Sequence, residues 1–267
     1  MNFDSLLVDV RVRRQPPHRS SSHAIGLRLP AILLLALSLV AFSLVGCGGG
    51  HHTSSGGYTK RANSINALVP DSQFTHEMKN ELEALYIERK LPPIWRLSPL
   101  APPAADQALA DAGYRRIDES LVQRAGLDGR FTADPEVKIE ERPSPDWLTG
   151  FAELSPVAPQ HRETMARMLR SIAAPVGFAE VEDRGRLVAF ALGAVDGDHV
   201  GIFDVLVAPS ARRRGLARRL TESICAWGGM NGARFAYLQV VATNSAALPL
   251  YAGLGFETVY SYAYRVP

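Results

Sequence analysis

Cysteine is scarce in this sequence: Cys47 and Cys225 are the two among 267 residues. Neither belongs to a Cys-x-x-Cys pair, and no His/Cys cluster has metal-ligand spacing, so nothing points to a disulfide framework or a zinc site. An excess of one charge is also lacking. With 29 basic and 27 acidic residues the formal net charge is +2. That gives no support to nucleic-acid binding, which calls for a clearly basic domain or stripe. The uncharged run from Ala31 to Val45 spans 15 residues, short of the roughly 20 that a membrane-spanning helix needs. What is present is a balanced composition, 46% hydrophobic. The length suits one large domain or two small ones.

The balance is uneven along the chain. Residues 1–57 carry five arginines and two aspartates, against 24 basic and 25 acidic residues in the rest. Residues 11–28 are mostly Arg, Pro, Ser and His and offer little to a core. The Ala31–Val45 run has the length of a signal-peptide apolar region. It leads into Leu44-Val45-Gly46-Cys47, which is similar to a bacterial lipobox with Cys47 as the lipidated residue. Gly48 to Gly57 then reads as a flexible Gly/Ser/His linker. The run begins late for a signal, after some 28 residues. Three readings stay open for 1–57: a lipoprotein or membrane anchor, an extension with no structural role, or a misplaced start.

The second half has a regular pattern. Val137–Glu141 alternates as a strand does. Pro145 opens a helix to Glu153, with Asp146 a candidate cap. Gln160–Ala173 places Met165, Met168, Leu169 and Ile172 on one helical face. Val176–Glu182 and Leu187–Val195 form a hairpin about Asp183-Arg-Gly185. Val200–Val207 is the next strand, followed by a helix from Gly215 to Met230 in which Cys225 reads as a buried thiol. Phe235–Val241 is a strand, Ser245–Ala252 a helix, and Phe256–Tyr260 and Tyr262–Val266 two closing strands. Such an order implies an α/β sheet with helices on both faces.

One junction has chemical character. The strand ending in Val205, Leu206 and Val207 turns at Pro209 and enters a helix through Arg212-Arg213-Arg214-Gly215-Leu216-Ala217-Arg218. The first N–H groups of a helix have no intrahelical acceptor, and the macrodipole adds about half a positive charge there. The combination suits a pyrophosphate, and a glycine allows close approach to it. Downstream, Leu238–Asn244 is a strand ending in Asn, and a helix carrying Tyr251 leads into Leu254-Gly255-Phe256.

These residues resemble the GNAT superfamily of N-acetyltransferases, whose fold is a mixed, mostly antiparallel sheet with helices on both faces. Arg212, Gly215 and Ala217 fill the specified positions of its Arg/Gln-x-x-Gly-x-Gly/Ala loop, and the Asn…Tyr-x-x-x-Gly-Phe spacing is matched. The resemblance covers about 134–267. It implies that acetyl-CoA is a co-substrate, held at Val205–Val207, Arg212–Arg218 and Asn244, and that no metal is used. It further implies acetyl transfer to a primary amine, with Tyr251 protonating the leaving thiolate. Backbone groups of Leu206 and Val207 would pair with pantetheine at a bulge. Asp204 is the nearest candidate for the general base, with Glu180 and Glu182 behind it. A water-mediated route or an already neutral amine is equally open. Acceptor-binding elements would be 146–173 and 256–266, with Trp147, Phe151, Tyr260, Tyr262 and Tyr264. Acetyl-CoA use implies a cytoplasmic location; the alternative is a chain tethered to the membrane through 31–47. The rival functions are a non-catalytic acetyl-CoA-binding module and a membrane-anchored lipoprotein that retains the fold.

Residues 58–130 look like a weaker copy of the second half's later elements. Tyr58–Leu68 could be a strand, Thr75–Lys90 a helix, Ile94–Leu97 a strand, Ala104–Ala112 a helix and Arg115–Asp118 a strand. Ala110-Asp-Ala-Gly-Tyr-Arg-Arg116 parallels Ala252-Gly-Leu-Gly-Phe-Glu-Thr258. No Arg-x-x-Gly-x-Ala precedes the long helix, and Leu109 stands where Tyr251 stands. This first copy reads as a degenerate half-domain without chemistry of its own.

Overall fold

A computed structural model describes residues 60–61, 63–67, 74–155 and 157–267. The lipobox pattern and the linker after it lie outside the described residues. Among those described, no helix is long and apolar enough to cross a membrane.

The elements of the first part are β1 (Ile65–Asn66), α1 (His76–Glu88), β2 (Trp95–Leu97), α2 (Pro103–Asp111) and β3 (Arg115–Gly126). The second part contributes β4 (Val137–Glu140), α3 (Pro145–Leu154), α4 (Arg162–Arg170), β5 (Val176–Asp183), β6 (Arg186–Asp196) and β7 (His199–Val207). It ends with α5 (Leu216–Met230), β8 (Phe235–Val241), α6 (Ala247–Ala252) and β9 (Glu257–Val266). Local chemistry sets several boundaries. The Thr75 hydroxyl accepts from Met78 N at 3.1 Å and starts α1. Ser144, not Asp146, caps α3, because its hydroxyl reaches Trp147 N at 2.9 Å while Pro145 takes the first turn. The helix expected over 160–173 is shorter, because a single 3-10 turn at Pro159–His161 precedes α4.

All nine strands form one sheet in the order β1-β2-β9-β3-β8-β7-β6-β5-β4. The two closing strands expected over 256–266 are one strand. Ser261 does not turn the chain; it pairs with Leu121, while Tyr260, Tyr262 and Tyr264 share the opposite face. β3 is three times the expected length. The alternation breaks at Asp118 because the β3–β9 register shifts between Ile117 and Ser120, with Asp118 at φ 50°. A polar bulge of this kind reads as a turn in sequence.

The order is symmetric about the β9–β3 pair. β1 and β2 are parallel and β2 is antiparallel to β9; β7 and β8 are parallel and β8 is antiparallel to β3. Each part's last strand therefore lies beside the other part's parallel pair.

Helices cover both faces. On one side Trp147 of α3 stacks on Phe151 at 4.8 Å and meets Phe178 and Phe190 edge-on, with Met165 and Leu169 of α4 completing the cluster. Trp147 and Phe151 are thus core residues, and the indole N–H donates to Ala179 O at 3.1 Å. On the other side α5 buries Leu216, Leu220, Ile224 and Cys225, each large aliphatic contributing about 1.5–3 kcal/mol. Gly228 brings this helix so close to β7 that a Cβ there would lie 2.5 Å from Val200. Burial pushes the Cys225 thiol up to about 12, which leaves it an inert packing group.

The first part has its own small cluster of Ile65, Trp95, Leu109 and Tyr114. Beside it Glu83 is buried and accepts from Lys79, Trp95 and Tyr114 at 2.9, 3.0 and 2.7 Å. Burial works to raise the Glu83 pKa, but these donors outweigh it and the value is lowered.

Candidate active site

β7 and β8 start side by side and then part. Their parallel pairing runs from His199–Phe235 to Ile202–Leu238 and stops there, although β7 continues to Val207 and β8 to Val241. The cause lies in β7. Two steps along β6, from Phe190 to Leu192, match three along β7, from Leu206 to Phe203. The extra residue is accommodated at Asp204, which takes φ 52°. A bulge increases local twist and bends its strand away from a neighbour. Leu206 and Val207 stay paired to β6 on one edge, and Val205 to Val207 have no strand partner on the edge facing β8. The sheet therefore divides here, with no ladder between β8 and the stretch from Val205 to Val207.

The Arg212–Ala217 loop stands at one end of this split. Gly215 takes φ 77° as the residue before α5, and no side chain caps the helix. The first return hydrogen bond is Arg219 N to Gly215 O, at 3.1 Å. The N–H groups of Gly215, Leu216, Ala217 and Arg218 precede it and have no intrahelical acceptor. A Cβ on Gly215 would meet no protein atom within 4 Å, so the space beside it is open. Arg213 is also left-handed, at φ 64°. The three arginines diverge. Arg212 Nε donates to Val207 O at 3.3 Å, Arg213 is exposed, and Arg214 pairs with Asp183 at 2.6 Å. Arg218 reaches Glu222 at 3.4 Å.

Asn244 and Tyr251 follow β8. Asn244 Oδ1 accepts from Ala247 N at 3.1 Å, which starts α6 and leaves the amide NH2 as a donor. Tyr251 is buried against Phe256, with ring centroids 5.9 Å apart. Burial raises its pKa, so the hydroxyl stays protonated at neutral pH. Leu109 of α2 is fully buried. Among the described residues no group of His, Cys, Asp and Glu could hold a metal ion.

A family model described as "Probable histone acetyltransferase Rv0428c C-terminal" matches residues 49–265. The chain belongs to this acetyltransferase family. An uncharacterized N-acetyltransferase, YobR of Bacillus subtilis, is 29% identical over 221 residues, covering 79% of this chain and 86% of that protein. A ribosomal protein bS18 alanine N-acetyltransferase of Escherichia coli is 35% identical over 78 residues, covering 29% of this chain and 53% of that enzyme. A GCN5-related N-acetyltransferase from Kribbella flavida has the same fold, with a TM-score of 0.63, 18% identity, and coverage of 91% of this chain and 96% of its own. The GNAT fold and an N-acetyltransferase enzyme are thereby shown.

The side of the acetyltransferase sheet that carries α3 and α4 holds a second set of groups. Asp204 is exposed, yet desolvation by the protein beside it raises its pKa against the pull of Arg61. Arg61 comes from the first part. Burial works to lower its pKa, and Tyr262, Tyr264 and Asp204 outweigh that and raise it. Of these three groups, Asp204 is the carboxylate. Tyr262 accepts from Arg61 and donates to Gln239 Oε1 at 2.6 Å. Burial pushes Tyr260 up to about 12, and its hydroxyl has no partner among the described residues.

Arg96 of β2 lies opposite Tyr264 in the ladder, and its guanidinium sits 4.2 Å from the Tyr262 ring centroid. It is 5% exposed, no described carboxylate pairs with it, and its Nε has no acceptor. Burying such an ion costs several kcal/mol, and a desolvated cation–π contact returns about 2 kcal/mol. Two half-buried arginines are paired, Arg265 with Asp106 at 2.7 Å and Arg219 with Asp134 through two bonds of 2.6 and 2.8 Å, while Arg124 lies over the Phe235 ring. Glu180, the weaker base candidate, lies on β5 near Lys138, and burial raises its pKa. Sequence reading singled out none of Arg61, Arg96 and Gln239.

Proposed function

We propose that this acetyltransferase moves the acetyl group of acetyl-CoA to a primary amine. The observation that carries the reading is the split between β7 and β8, with the uncapped start of α5 at its end. The residues fit the donor. The free N–H groups of Gly215 to Arg218, with Arg212 and Arg213 beside them, suit a pyrophosphate. The unpaired backbone of Val205, Leu206 and Val207 suits the amides of the pantetheine arm, and the Asn244 NH2 supplies a further donor. Arg214 contributes through its pair with Asp183, which holds the loop against the β5–β6 turn.

Three events are needed. The acceptor must lose a proton, its nitrogen must attack the thioester carbon, and the departing thiolate must be protonated. Asp204 is assigned the first task. It lies on the bulge, and a raised pKa makes a carboxylate a better base. An N–H of the Val205–Val207 stretch is assigned to the carbonyl oxygen as negative charge develops there. Tyr251 is assigned the last task, since burial keeps its proton available. The atoms balance: the amine proton goes to Asp204, the acetyl group to nitrogen, and the Tyr251 proton to sulfur.

The family description and the relatives' names concern histones and the alanine of a ribosomal protein, and both are amine acceptors. The test is release of CoA thiol with a panel of amines. Failure of every amine, with acetyl-CoA still bound in calorimetry, would favour a binding module instead. We further read residues 58–130 and 134–267 as two copies of one unit. The symmetric strand order supports this reading, and the first copy lacks both the loop and a tyrosine at Leu109.

A further inference from the structure

We propose that the open edge of β4 is a self-association surface, on which a second copy of this chain adds its own β4, antiparallel and centred on Ile139. The proposal stands apart from the acetyl-transfer reading and involves no ligand.

β4 ends the nine-stranded sheet and pairs with β5 alone. Every second residue along its outer edge turns an N–H and a C=O away from the sheet, with no ladder partner among the described residues. Such an edge invites another strand, and proteins commonly guard it with charge. A guard works against a second copy only when its charges repel their own image, and here they do not. The strand is Val137-Lys138-Ile139-Glu140, with Lys138 and Glu140 exposed on one face. A two-fold axis at Ile139 sets Lys138 opposite Glu140 of the second copy, and Glu140 opposite its Lys138. On the flanks the same axis sets exposed Glu136 towards exposed Arg142. Like charges then meet on the diagonals, about 7–8 Å apart against about 4.5–5.5 Å for the direct pairs, so attraction wins. The register is specific. A shift of two residues sets Lys138 against Lys138, or Glu140 against Glu140, and a shift of one sets a charge against Ile139. Other groups on this face are acidic. Lys138 lies 3.3 Å from Glu140 and 3.9 Å from Glu180 of β5, with Asp146 and Glu182 near Glu180. Glu180 sits one strand inward, about 5 Å behind the edge, so the direct pairs dominate the contact. The opposite face is apolar. A Cβ on Gly177 would meet Ile139 Cγ2 at 2.8 Å and the Trp227 ring at 3.1 Å, and both side chains are half-buried. The axis lays Ile139 on Ile139 and extends this cover. A joint of four residues is small for a specific interface, so the dimer is a weak one.

Sedimentation equilibrium of the full chain tests this, over about 1 to 500 μM, a range that brackets weak association. The parent should pass from monomer to dimer within it. Lys138→Glu and Glu140→Lys should each weaken association by at least about tenfold, because each makes both direct pairs repulsive. Mixed in equal amounts, the two variants should regain the parent's affinity as a heterodimer, since an edge with two glutamates then meets an edge with two lysines. That recovery also shows that both variants fold. In a Cys47→Ser chain, Ile139→Cys should cross-link to its own copy under mild oxidation, because the axis sets position 139 against itself within disulfide reach. Glu141→Cys should not. A parent that stays monomeric over the whole range overturns the proposal and leaves the edge to a strand of another protein. Association that neither charge variant weakens overturns it as well, since the contact then lies on another surface. Weakened variants that mixing does not restore, or a cross-link at 141 in place of 139, refute the register about Ile139.

Discussion

Replacing Asp204 by asparagine separates catalysis from stability. Asparagine keeps the shape, tolerates the φ of 52°, and removes the base. Loss of a positioned base lowers turnover by about 10²–10⁴-fold, or about 3–5.5 kcal/mol of barrier. Stability should move the other way. The folded-state pKa of Asp204 is raised above 3.8, so the folded protein holds this proton more tightly than the unfolded chain. Its contribution is most favourable at low pH and declines as pH rises from 3.8 through the raised value. At pH 7 the ionised carboxylate is a liability that asparagine removes, and Asp204→Asn should melt no lower than the parent. Asp204→Ala should melt below Asp204→Asn, because a left-handed alanine is strained by about 1–2 kcal/mol. For a domain of this size that is about 2–8 °C. Differential scanning fluorimetry reads the melting points, and kcat/KM from pH 4 to 9 reads the base. The parent profile should fall on the acid side at a pH above 3.8, and Asp204→Asn should lose that limb. Turnover within threefold of the parent at every pH would refute the assignment of Asp204 as base.

Other outcomes are as definite. Gly215→Glu should abolish acetyl-CoA binding in calorimetry, since it forces a side chain into a left-handed position and sets a negative charge among the free N–H groups; undiminished affinity would remove the loop from the site. Tyr251→Phe should lower turnover by about 10²-fold or more with donor affinity little changed, and equal turnover would end its acid role. Asp134→Asn should cost about 1–2 kcal/mol by weakening the fork from Arg219, seen as a loss of about 2–8 °C in Tm. The hydrogen bonds from Arg219 hold the Asp134 pKa below 3.8. That stabilisation is present above pH 3.8 and disappears as pH falls through the lowered value, so the two melting curves should converge only at more acid pH.

The backbone geometry of the proposed donor side was readable because its residues are close in sequence. Gly215 after a strand and before an apolar-periodic helix announces a left-handed turn, and Tyr251 with Gly255-Phe256 fixes the next one. The surroundings of the β9 tyrosines were not readable for a different reason. Arg96 sits in a three-residue strand, too short for alternation to say which face it takes, and Arg61 lies in a turn. Arg96 meets the Tyr262 ring only because β2 pairs with β9, nearly 170 residues later. The same long-range pairing explains the errors over β3 and β9. Asp118 and Ser261 carry turn-like side chains, but Asp118 is absorbed in a bulge and Ser261 is paired with Leu121, so β3 and β9 both run on through them. Trp147 and Phe151 were candidates for a cleft on composition alone, and packing makes them core.

The exchange of last strands has a consequence during synthesis. β3 is complete at Gly126, but β8 begins at Phe235 and β9 at Glu257. At about 5–20 residues per second the ribosome needs roughly 5–25 s to deliver β8. Throughout that interval β3 has two unpaired edges, and its apolar Leu121 and Val122 have no sheet to enter. A nascent chain in this state offers a ready template to any neighbouring strand. Polysomes carrying several such chains would be crowded with them. Arg115, Arg116, Glu119 and Arg124 then take on a second role, as charges that keep one waiting strand from pairing with the next.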